Sequence, residues 1–264
     1  MMTQPKPALD RLLAIMARLR DPQHGCDWDK AQTFETIAPY TIEEAYEVAD
    51  AIARNDIAAL KDELGDLLLQ VVFHSRIAEE AGQFTFTDVA AAISDKMEAR
   101  HPHIFGDATG DDHSREERWE RIKAEERAAK GESSALDGVA LALPALLRAE
   151  KLQKRAVRVG FDWPDVQGPT DKLAEEIVEL AEAGNERDRF EEAGDLLFAA
   201  VNLVRAYGVP AEEALRAANL KFERRFQGME TLAAERGLDF KALKLEEQDT
   251  LWNDVKASEA RKPA

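Results

Sequence analysis

The stretch Glu43-Glu-Ala-Tyr-Glu47, followed by Glu63-Leu-Gly-Asp-Leu-Leu68, occurs a second time as Glu175-Glu-Ile-Val-Glu179 and Glu192-Ala-Gly-Asp-Leu-Leu197. Three further pairs of anchors keep the same order along the chain: Gly25–Trp28 with Gly160–Trp163, Lys96–Arg100 with Lys221–Arg225, and Trp119–Lys123 with Trp252–Lys256. The copies lie about 130 residues apart, which is too long a period for a solenoid. The repeat therefore predicts two similar tandem domains.

The stretch between the copies, residues 106–137, begins and ends with Gly-, Asp- and Ser-rich sequence and is strongly charged in its middle. Such composition is typical of loops around an exposed helix. We therefore predict an N-terminal domain over residues 1–130, including a charged linker at its end, and a second domain over residues 131–264.

Apolar residues recur at the spacing of an amphipathic helix, and no alternating run of convincing length indicates a strand. Leu9, Leu12, Leu13 and Met16 follow this spacing near the N-terminus. A later helix is predicted to begin at Thr41, with Glu44 completing a capping box. The prediction is an all-α fold of two tandem similar helical bundles, each of about four helices.

The composition excludes several classes of function. The 52 acidic and 35 basic residues give a formal net charge of −17, which repels the phosphate backbone of nucleic acids. A single cysteine allows neither an intramolecular disulfide nor a multi-cysteine zinc site. The N-terminus has no apolar signal region, and no apolar run approaches the ~20 residues of a membrane span. We expect a cytoplasmic protein without membrane or nucleic-acid partners.

The repeated acidic residues predict a metal site in each copy. In each pair, two acids stand three residues apart and share one face of a helix. If consecutive helices pack antiparallel, four carboxylates meet, and a hard divalent cation relieves their repulsion. Oxygen ligands favour Mg²⁺, with Mn²⁺ as an alternative. A single such pair more often marks a solvated helix face, but the repetition favours the metal. The predicted ligands are Glu176, Glu179, Glu192 and Asp195 in the second copy and Glu44, Glu47, Glu63 and Asp66 in the first.

A basic cluster follows the acids in each copy. Lys221, Arg224 and Arg225 suit a phosphate chain, although ordinary ion pairs within a helix also explain them. The first copy retains Lys96 and Arg100 but has alanine at the position matching Arg224. Trp252 suits stacking on a nucleobase, and packing in a core or a dimer interface explains it equally well.

The longer segments that contain these motifs include DWDKAQTFETIAPYTIEEAYEV, ELGDLLLQVVFH, VGFDW, EEAGDLLFAAVNLVR and NLKFERRF. From about residue 9 to about residue 256, the sequence resembles the MazG-type all-α nucleoside triphosphate pyrophosphohydrolases. The resemblance implies helical bundles that dimerise through helix packing. It also implies Mg²⁺-dependent cleavage of nucleoside triphosphates between the α and β phosphates, which releases a nucleoside monophosphate and pyrophosphate.

The resemblance also assigns roles to residues of the second copy. Glu176, Glu179, Glu192 and Asp195 would hold Mg²⁺, and Glu175 becomes a candidate for activating water. Lys221, Arg224 and Arg225 would hold the phosphates, and Trp252 would lie near the nucleotide. Members of the family usually hydrolyse the substrate in the C-terminal copy, but the first copy keeps its acids, so the sequence leaves its activity open.

The expected role is removal of unwanted nucleotides from the cellular pool. Two alternatives remain at this level. One is a related pyrophosphatase with a narrow preference for dUTP or dCTP. The other is a non-catalytic helical protein that binds cations through its acids and docks a partner through residues 106–137.

Overall fold

Residues 7–105 and 134–260 are described by a computed structural model, and within these ranges every regular element is helical. The first range contains α1 (Ala8–Leu19), α2 (Asp27–Ala31), α3 (Phe34–Ala53), α4 (Ile57–Glu80), α5 (Phe86–Arg100) and α6 (Pro102–Phe105). The second contains α7 (Ala145–Arg158), α8 (Gln167–Glu182), α9 (Glu186–Ala206), α10 (Ala211–Glu235), a 3₁₀ turn (Phe240–Ala242) and α11 (Leu245–Ala260). The predicted all-α fold with tandem domains is confirmed.

The chain divides into two compact units, Met1–Ile122 and Lys123–Ala264. The boundary predicted at residues 130 and 131 lies outside the described residues and stays a prediction. The anchor Trp119–Lys123 and most of the segment 106–137 lie outside them as well.

In the first unit, α3 packs along α4, and α1 and α5 also contact α4. Met16, Ile37, Val72 and Phe73 form the buried centre of this bundle. These apolar side chains come from α1, α3 and α4, so their burial holds the three helices together.

The start of α3 differs from the prediction. Helix α3 begins at Phe34, and Thr41 lies inside it. Thr33 is the N-cap, and its side chain and that of Thr36 form a reciprocal capping box. This cap satisfies the first backbone donors about two turns earlier than a cap at Thr41 would. Pro39 is the sixth residue of the helix and has no N–H to donate to the carbonyl of Glu35, so α3 lacks that one backbone hydrogen bond.

In the second unit, α8 packs along α9, while α7 contacts α9 and α10. Helices α10 and α11 pack on each other around Met229, Ala233 and Leu251. The pairing of α8 with α9 matches the pairing of α3 with α4, which are the helices that carry the repeated acids.

None of the helices in the described ranges is both long enough and apolar enough to cross a membrane.

Candidate metal and nucleotide site

The second unit brings three of its four predicted metal ligands together. Glu176 and Glu179 lie on α8 and Glu192 on α9, and one carboxylate oxygen of each lies within 4.8 Å of the others. The spacing within α8 and the close packing of α9 produce this convergence. Asp195, one turn after Glu192, lines the adjoining cavity beside Glu176. The arrangement offers oxygen ligands alone, as Mg²⁺ and Mn²⁺ prefer.

The electrostatics of this cluster disfavour negative charge. Burial is the main cause that raises the pKa of Glu192, and the charges of Glu179, Glu176 and Asp195 raise it further. Glu176 is 3% exposed. A buried carboxylate among other carboxylates needs a compensating cation.

Lys172 supplies one such cation. Its Nζ lies 2.7 Å from Glu175 Oε1, 2.7 Å from Glu176 Oε1 and 3.9 Å from Glu179 Oε2. The hydrogen bond to Glu175, followed by that to Glu176, raises the pKa of the Lys172 ammonium. Sequence reasoning missed this residue. Its spacing of three and four residues before two glutamates was a signal.

One oxygen of Glu176 has no hydrogen-bond partner in the part of the chain that the structure describes. Lys172 binds Oε1, while Oε2 is buried and makes no hydrogen bond within the described residues. A buried acceptor without a donor carries a desolvation cost of about 1–3 kcal/mol. A divalent cation would satisfy this oxygen, and the surrounding carboxylates fit its coordination chemistry.

The first unit has a similar cluster. Oxygens of Glu44, Glu63 and Asp66 lie within 4.8 Å of one another. Burial, then the charge of Asp66 and contacts with Glu47, raise the pKa of Glu44. Burial and the charge of Glu47 likewise raise the pKa of Glu63. All four predicted acids of this copy therefore interact.

The basic residues of the second unit form a separate group between α10 and α11. Arg224 Nε and Arg225 Nε each donate to Glu259, at 2.8 Å and 2.8 Å. The Arg225 guanidinium lies 5.6 Å from the centre of the Trp252 ring, which also packs against the core around Leu251.

Lys221 is exposed on α10. Across residues 134–260, no hydrogen bond, ion pair or ring contact joins this basic group to the acidic cluster. In the first unit, Lys96 is exposed on α5, and Arg100 is half-buried at its end.

A cavity of about 830 Å³ adjoins the acidic cluster of the second unit. Lys172, Glu176 and Asp195 line it together with residues of α7, of α9 and of the turn before α8. The site therefore combines carboxylates for a cation with a space large enough for an organic molecule.

Two family models match the chain. The model described as MazG nucleotide pyrophosphohydrolase domain matches residues 32–105. The model described as Phosphoribosyl-ATP pyrophosphohydrolase matches residues 154–221. With the helical fold and the carboxylate clusters, these matches define the class: the chain is an all-α pyrophosphohydrolase.

Whole-chain relatives are more specific. A nucleoside triphosphate pyrophosphohydrolase of Escherichia coli (strain K12) is 54% identical over 95% of this chain and 98% of its own length. The nucleoside triphosphate pyrophosphohydrolase/pyrophosphatase MazG of Thermotoga maritima is 45% identical over 95% of this chain and 96% of its own. The uncharacterized protein YabN of Bacillus subtilis is 46% identical over 94% of this chain and 51% of its own length.

The chain therefore belongs to the MazG family of nucleoside triphosphate pyrophosphohydrolases. The predicted enzyme class is confirmed.

Proposed function

We propose that the second unit hydrolyses ribo- and deoxyribonucleoside triphosphates between the α and β phosphates in a Mg²⁺-dependent reaction. The products are a nucleoside monophosphate and pyrophosphate. One observation carries the proposal: Glu176 Oε2 is buried inside a cluster of carboxylates and has no hydrogen-bond partner among the described residues. Mn²⁺ would serve as a substitute because it accepts the same oxygen ligands.

The carboxylates of α8 and α9 have separate tasks in this proposal. Glu176, Glu179, Glu192 and Asp195 hold the cation. When bound, the cation neutralises the triphosphate and orients the attacking water. Glu175 is exposed next to Glu176 and accepts the proton of that water.

Cations of the chain itself hold the phosphates. Lys172 neutralises Glu175 and Glu176 when no metal is bound and becomes free to contact a phosphate when a metal takes over those charges. Lys221, Arg224 and Arg225 bind the rest of the triphosphate, with Trp252 beside them. Glu259 accepts a hydrogen bond from the Nε of each arginine, so its carboxylate competes with the phosphates for these two cations.

A homodimer would bring these groups together. Within residues 134–260, the basic group does not contact the acidic cluster. In a homodimer, the basic group of one copy would lie next to the acidic cluster of the other. Ile177, Leu197 and Phe190 are exposed apolar residues on α8 and α9, and Phe190 is 82% exposed. An interface between two copies that covered these two helices would bury such side chains. A cytoplasmic location and a role in clearing the nucleotide pool complete the proposal.

The proposal is tested by pyrophosphate release from a panel of NTPs and dNTPs, including dUTP and dCTP, with Mg²⁺, Mn²⁺ or chelator. Wild type is compared with Glu179→Ala and with the matched first-copy variant Glu47→Ala. We expect metal-dependent release that only Glu179→Ala abolishes. Loss of pyrophosphate release in Glu47→Ala alone would show that the first copy, and not the second, is catalytic. A failure to release pyrophosphate from any nucleotide would refute the activity, and activity on dUTP or dCTP alone would refute its breadth.

A further inference from the structure

The loop that joins α7 to α8, residues 160–166, forms one wall of the cavity beside the acidic cluster. Phe161, Asp162 and Trp163 of this loop line the cavity together with Glu176 and Asp195. A substrate held by these carboxylates therefore lies beside the loop. The loop is on the surface, and Phe161 is 79% exposed. A surface loop keeps one conformation only where specific contacts fix it.

The helical walls of the cavity are fixed by their own packing. Helix α7 contacts α9, and Gln153 Nε2 on α7 donates to the backbone oxygen of Phe198 on α9 at 2.9 Å. Where α7 ends, the N–H of Gly160 donates to the carbonyl of Val157 at 2.9 Å. These contacts fix the point at which the loop begins. The position of Trp163, three residues later, depends on further contacts.

An ion pair joins the loop to α9. Arg205 Nη1 and Nη2 donate to Asp162 Oδ2 and Oδ1, at 3.2 Å and 2.7 Å. The Arg205 side chain is 11% exposed and the Asp162 side chain 30% exposed. The hydrogen bonds from Arg205 are the main cause that holds the pKa of Asp162 below its usual value. A two-point pair between an arginine and a carboxylate is among the stronger polar contacts in proteins.

Neighbouring residues orient both partners of this pair. Asn202 Oδ1, one turn earlier on α9, accepts hydrogen bonds from Arg205 Nε at 3.0 Å and Nη2 at 2.6 Å, which holds the guanidinium in one orientation. Asp162 Oδ1 also accepts from the backbone N–H of Trp163 at 3.0 Å. The Trp163 indole lies so close to Gly168 that a Cβ atom there would overlap it. The Asp162 carboxylate thus connects α9 to the residue whose ring forms the wall.

The first copy has an aspartate and an arginine at the matching positions, but each has other partners. Asp27 pairs with Lys30 at 2.9 Å, and its side chain is 99% exposed. Arg76 pairs with Glu79 at 3.1 Å and with Glu80 at 2.9 Å. In the second copy, the positions of these three partners are occupied by Asp165, Gly208 and Val209. Because an acid cannot pair with the aspartate, and glycine and valine cannot pair with the arginine, the second copy leaves the two residues to each other.

The two copies also differ in what surrounds the tryptophan of this loop. In the first copy, Trp28 packs edge-on against Tyr40 and Phe73, with 6.4 Å between the ring centres in each pair. The cavity that these three residues line measures only about 140 Å³, against about 830 Å³ in the second unit. Lys172 and Asn202 stand at the positions of the two rings in the second copy. The open cavity lacks that aromatic packing, so its tryptophan needs another anchor.

We propose that Asp162 and Arg205 are positioning residues of the enzyme: their ion pair holds the loop and Trp163 in place, so that this wall of the cavity is formed before the substrate binds. A substrate that had to order the loop would bind more weakly, because the loop would lose conformational entropy on binding. In this role neither residue contacts the reacting phosphates, so the pair acts on binding and not on the chemical step. The inference rests on the proposed function, since it concerns the binding step of that reaction.

The test compares KM and kcat for ATP, with Mg²⁺ in excess, in wild type, Asp162→Asn, Arg205→Gln and the variant with both substitutions. Each single substitution should raise KM by about 10-fold and change kcat by less than about twofold. The double variant should match the single ones and not reach about 100-fold, because both substitutions break the same interaction. Asp162→Glu keeps a carboxylate and should recover most of the wild-type KM. Since KM does not depend on the amount of active enzyme, partial misfolding does not imitate the effect.

Hydrogen–deuterium exchange gives a second measurement that needs no substrate. In both single variants, peptides that cover residues 160–166 should exchange about 10-fold faster than in wild type, because the loop opens more often. Peptides from residues 34–80 should exchange as in wild type. Asp27→Asn is the matched control: it removes the first-copy aspartate and should change neither KM nor the exchange of residues 160–166.

The outcomes separate this inference from the activity. An unchanged KM in Asp162→Asn would overturn the positioning role, and so would a lower kcat at unchanged KM, which indicates only a less stable fold. A rise of about 100-fold in the double variant would show that the two residues act independently. If wild type hydrolysed no nucleotide, the proposed function would fail, and exchange would still decide on the loop. Equal exchange in wild type and Asp162→Asn would then overturn the anchor, and faster exchange in both single variants would support it.

Discussion

The Lys172 ammonium lies 2.7 Å from Glu176 Oε1, whereas Tyr40 stands at the matching position of the first copy. The second acidic cluster thus carries its own monovalent cation, while the first carries none at this position. Such a cation lowers the repulsion among the carboxylates but satisfies only one oxygen of Glu176. A divalent ion that binds the second cluster must compete with this ammonium.

Replacing Lys172 should therefore strengthen metal binding in the second unit. In Lys172→Met, we expect a lower melting temperature without metal and a larger rise on adding Mg²⁺ than in wild type, because the competing charge is gone. Differential scanning calorimetry across a Mg²⁺ titration measures both. Tyr40→Met is the matched control and should leave the response of the second unit unchanged. A smaller rise in Lys172→Met would show that the lysine assists metal binding.

The same substitution, Lys172→Met, should lower turnover although it strengthens metal binding. If Lys172 contacts a phosphate of the bound nucleotide, Lys172→Met should lower kcat/KM by about 10- to 100-fold even at saturating Mg²⁺. Steady-state pyrophosphate release gives this value. An unchanged kcat/KM would show that Lys172 acts only in the metal-free protein and does not contact the substrate.

Glu259 should inhibit phosphate binding. Its carboxylate pairs with both Arg224 and Arg225, so it competes with a triphosphate for their positive charge. Glu259→Gln should lower the KM for nucleotide several-fold with little change in kcat, because the arginines no longer carry a charged partner. Asp254→Asn is a suitable control, since Asp254 on α11 pairs at 2.7 Å with Arg236, the residue that follows α10. A higher KM in Glu259→Gln would indicate that the carboxylate positions the arginines for the substrate.

Glu150 should make the stability of the second unit pH-dependent. It is buried on α7 and accepts hydrogen bonds from Lys154 and, at 3.1 Å, from the backbone N–H of Ala211 at the start of α10. Burial acts to raise its pKa, but the hydrogen bonds from Lys154 and Ala211 outweigh it and hold the pKa below its usual value. The carboxylate form is therefore favoured in the folded state.

The direction of the pH effect follows from that shift. A lowered pKa stabilises the fold above the ordinary glutamate value, and this stabilisation is lost as the pH falls through the folded pKa. Glu150→Gln should cost about 1–3 kcal/mol of unfolding free energy at pH 7. The difference between variant and wild type should shrink below about pH 4.5. Urea unfolding at several pH values measures it, and a difference independent of pH would contradict the assignment.

Gly168→Ala should narrow the cavity beside the acidic cluster of the second unit, because Trp163 forms part of its wall. The new methyl group would displace the Trp163 indole, at a cost of about 1–3 kcal/mol in stability and with a lower kcat/KM. Gly184→Ala is the control, because no atom lies within 4 Å of the Cβ that it would add. Thermal unfolding and pyrophosphate release test the pair. Equal behaviour of the two variants would show that the indole moves without consequence.

Features that depend on local spacing could be predicted from the sequence. The helices follow from apolar periodicity, and the convergence of Glu176, Glu179 and Glu192 follows from spacing within helices and the packing of consecutive ones. The repeat gave the tandem organisation because duplicated domains keep the order of their anchors. The helix start at Phe34 was missed because two threonines, Thr33 and Thr41, both suit an N-cap, and the reciprocal partner Thr36 decides between them.

Features that depend on distant contacts could not be predicted in the same way. Gln153 meets Phe198 across 45 residues, and Arg224 meets Glu259 across 35. No local pattern marks either pair, because the contact exists only after the helices pack. The difference in volume between the two cavities could not be predicted either. It depends on which side chains, contributed by three helices, fill the same space after packing.

Gln153 Oε1 and Glu176 Oε2, two buried oxygens that accept no hydrogen bond within residues 7–105 and 134–260, also affect how long the enzyme survives. In the unfolded chain, water forms hydrogen bonds to both atoms, and the ligand-free folded protein loses these hydrogen bonds. A bound ligand would replace them. A ligand at 100 times its dissociation constant would add about 2.7 kcal/mol of stability. Proteases that attack the opened chain would then degrade the ligand-free enzyme faster. The half-life of the enzyme would rise with the concentration of the nucleotides it consumes.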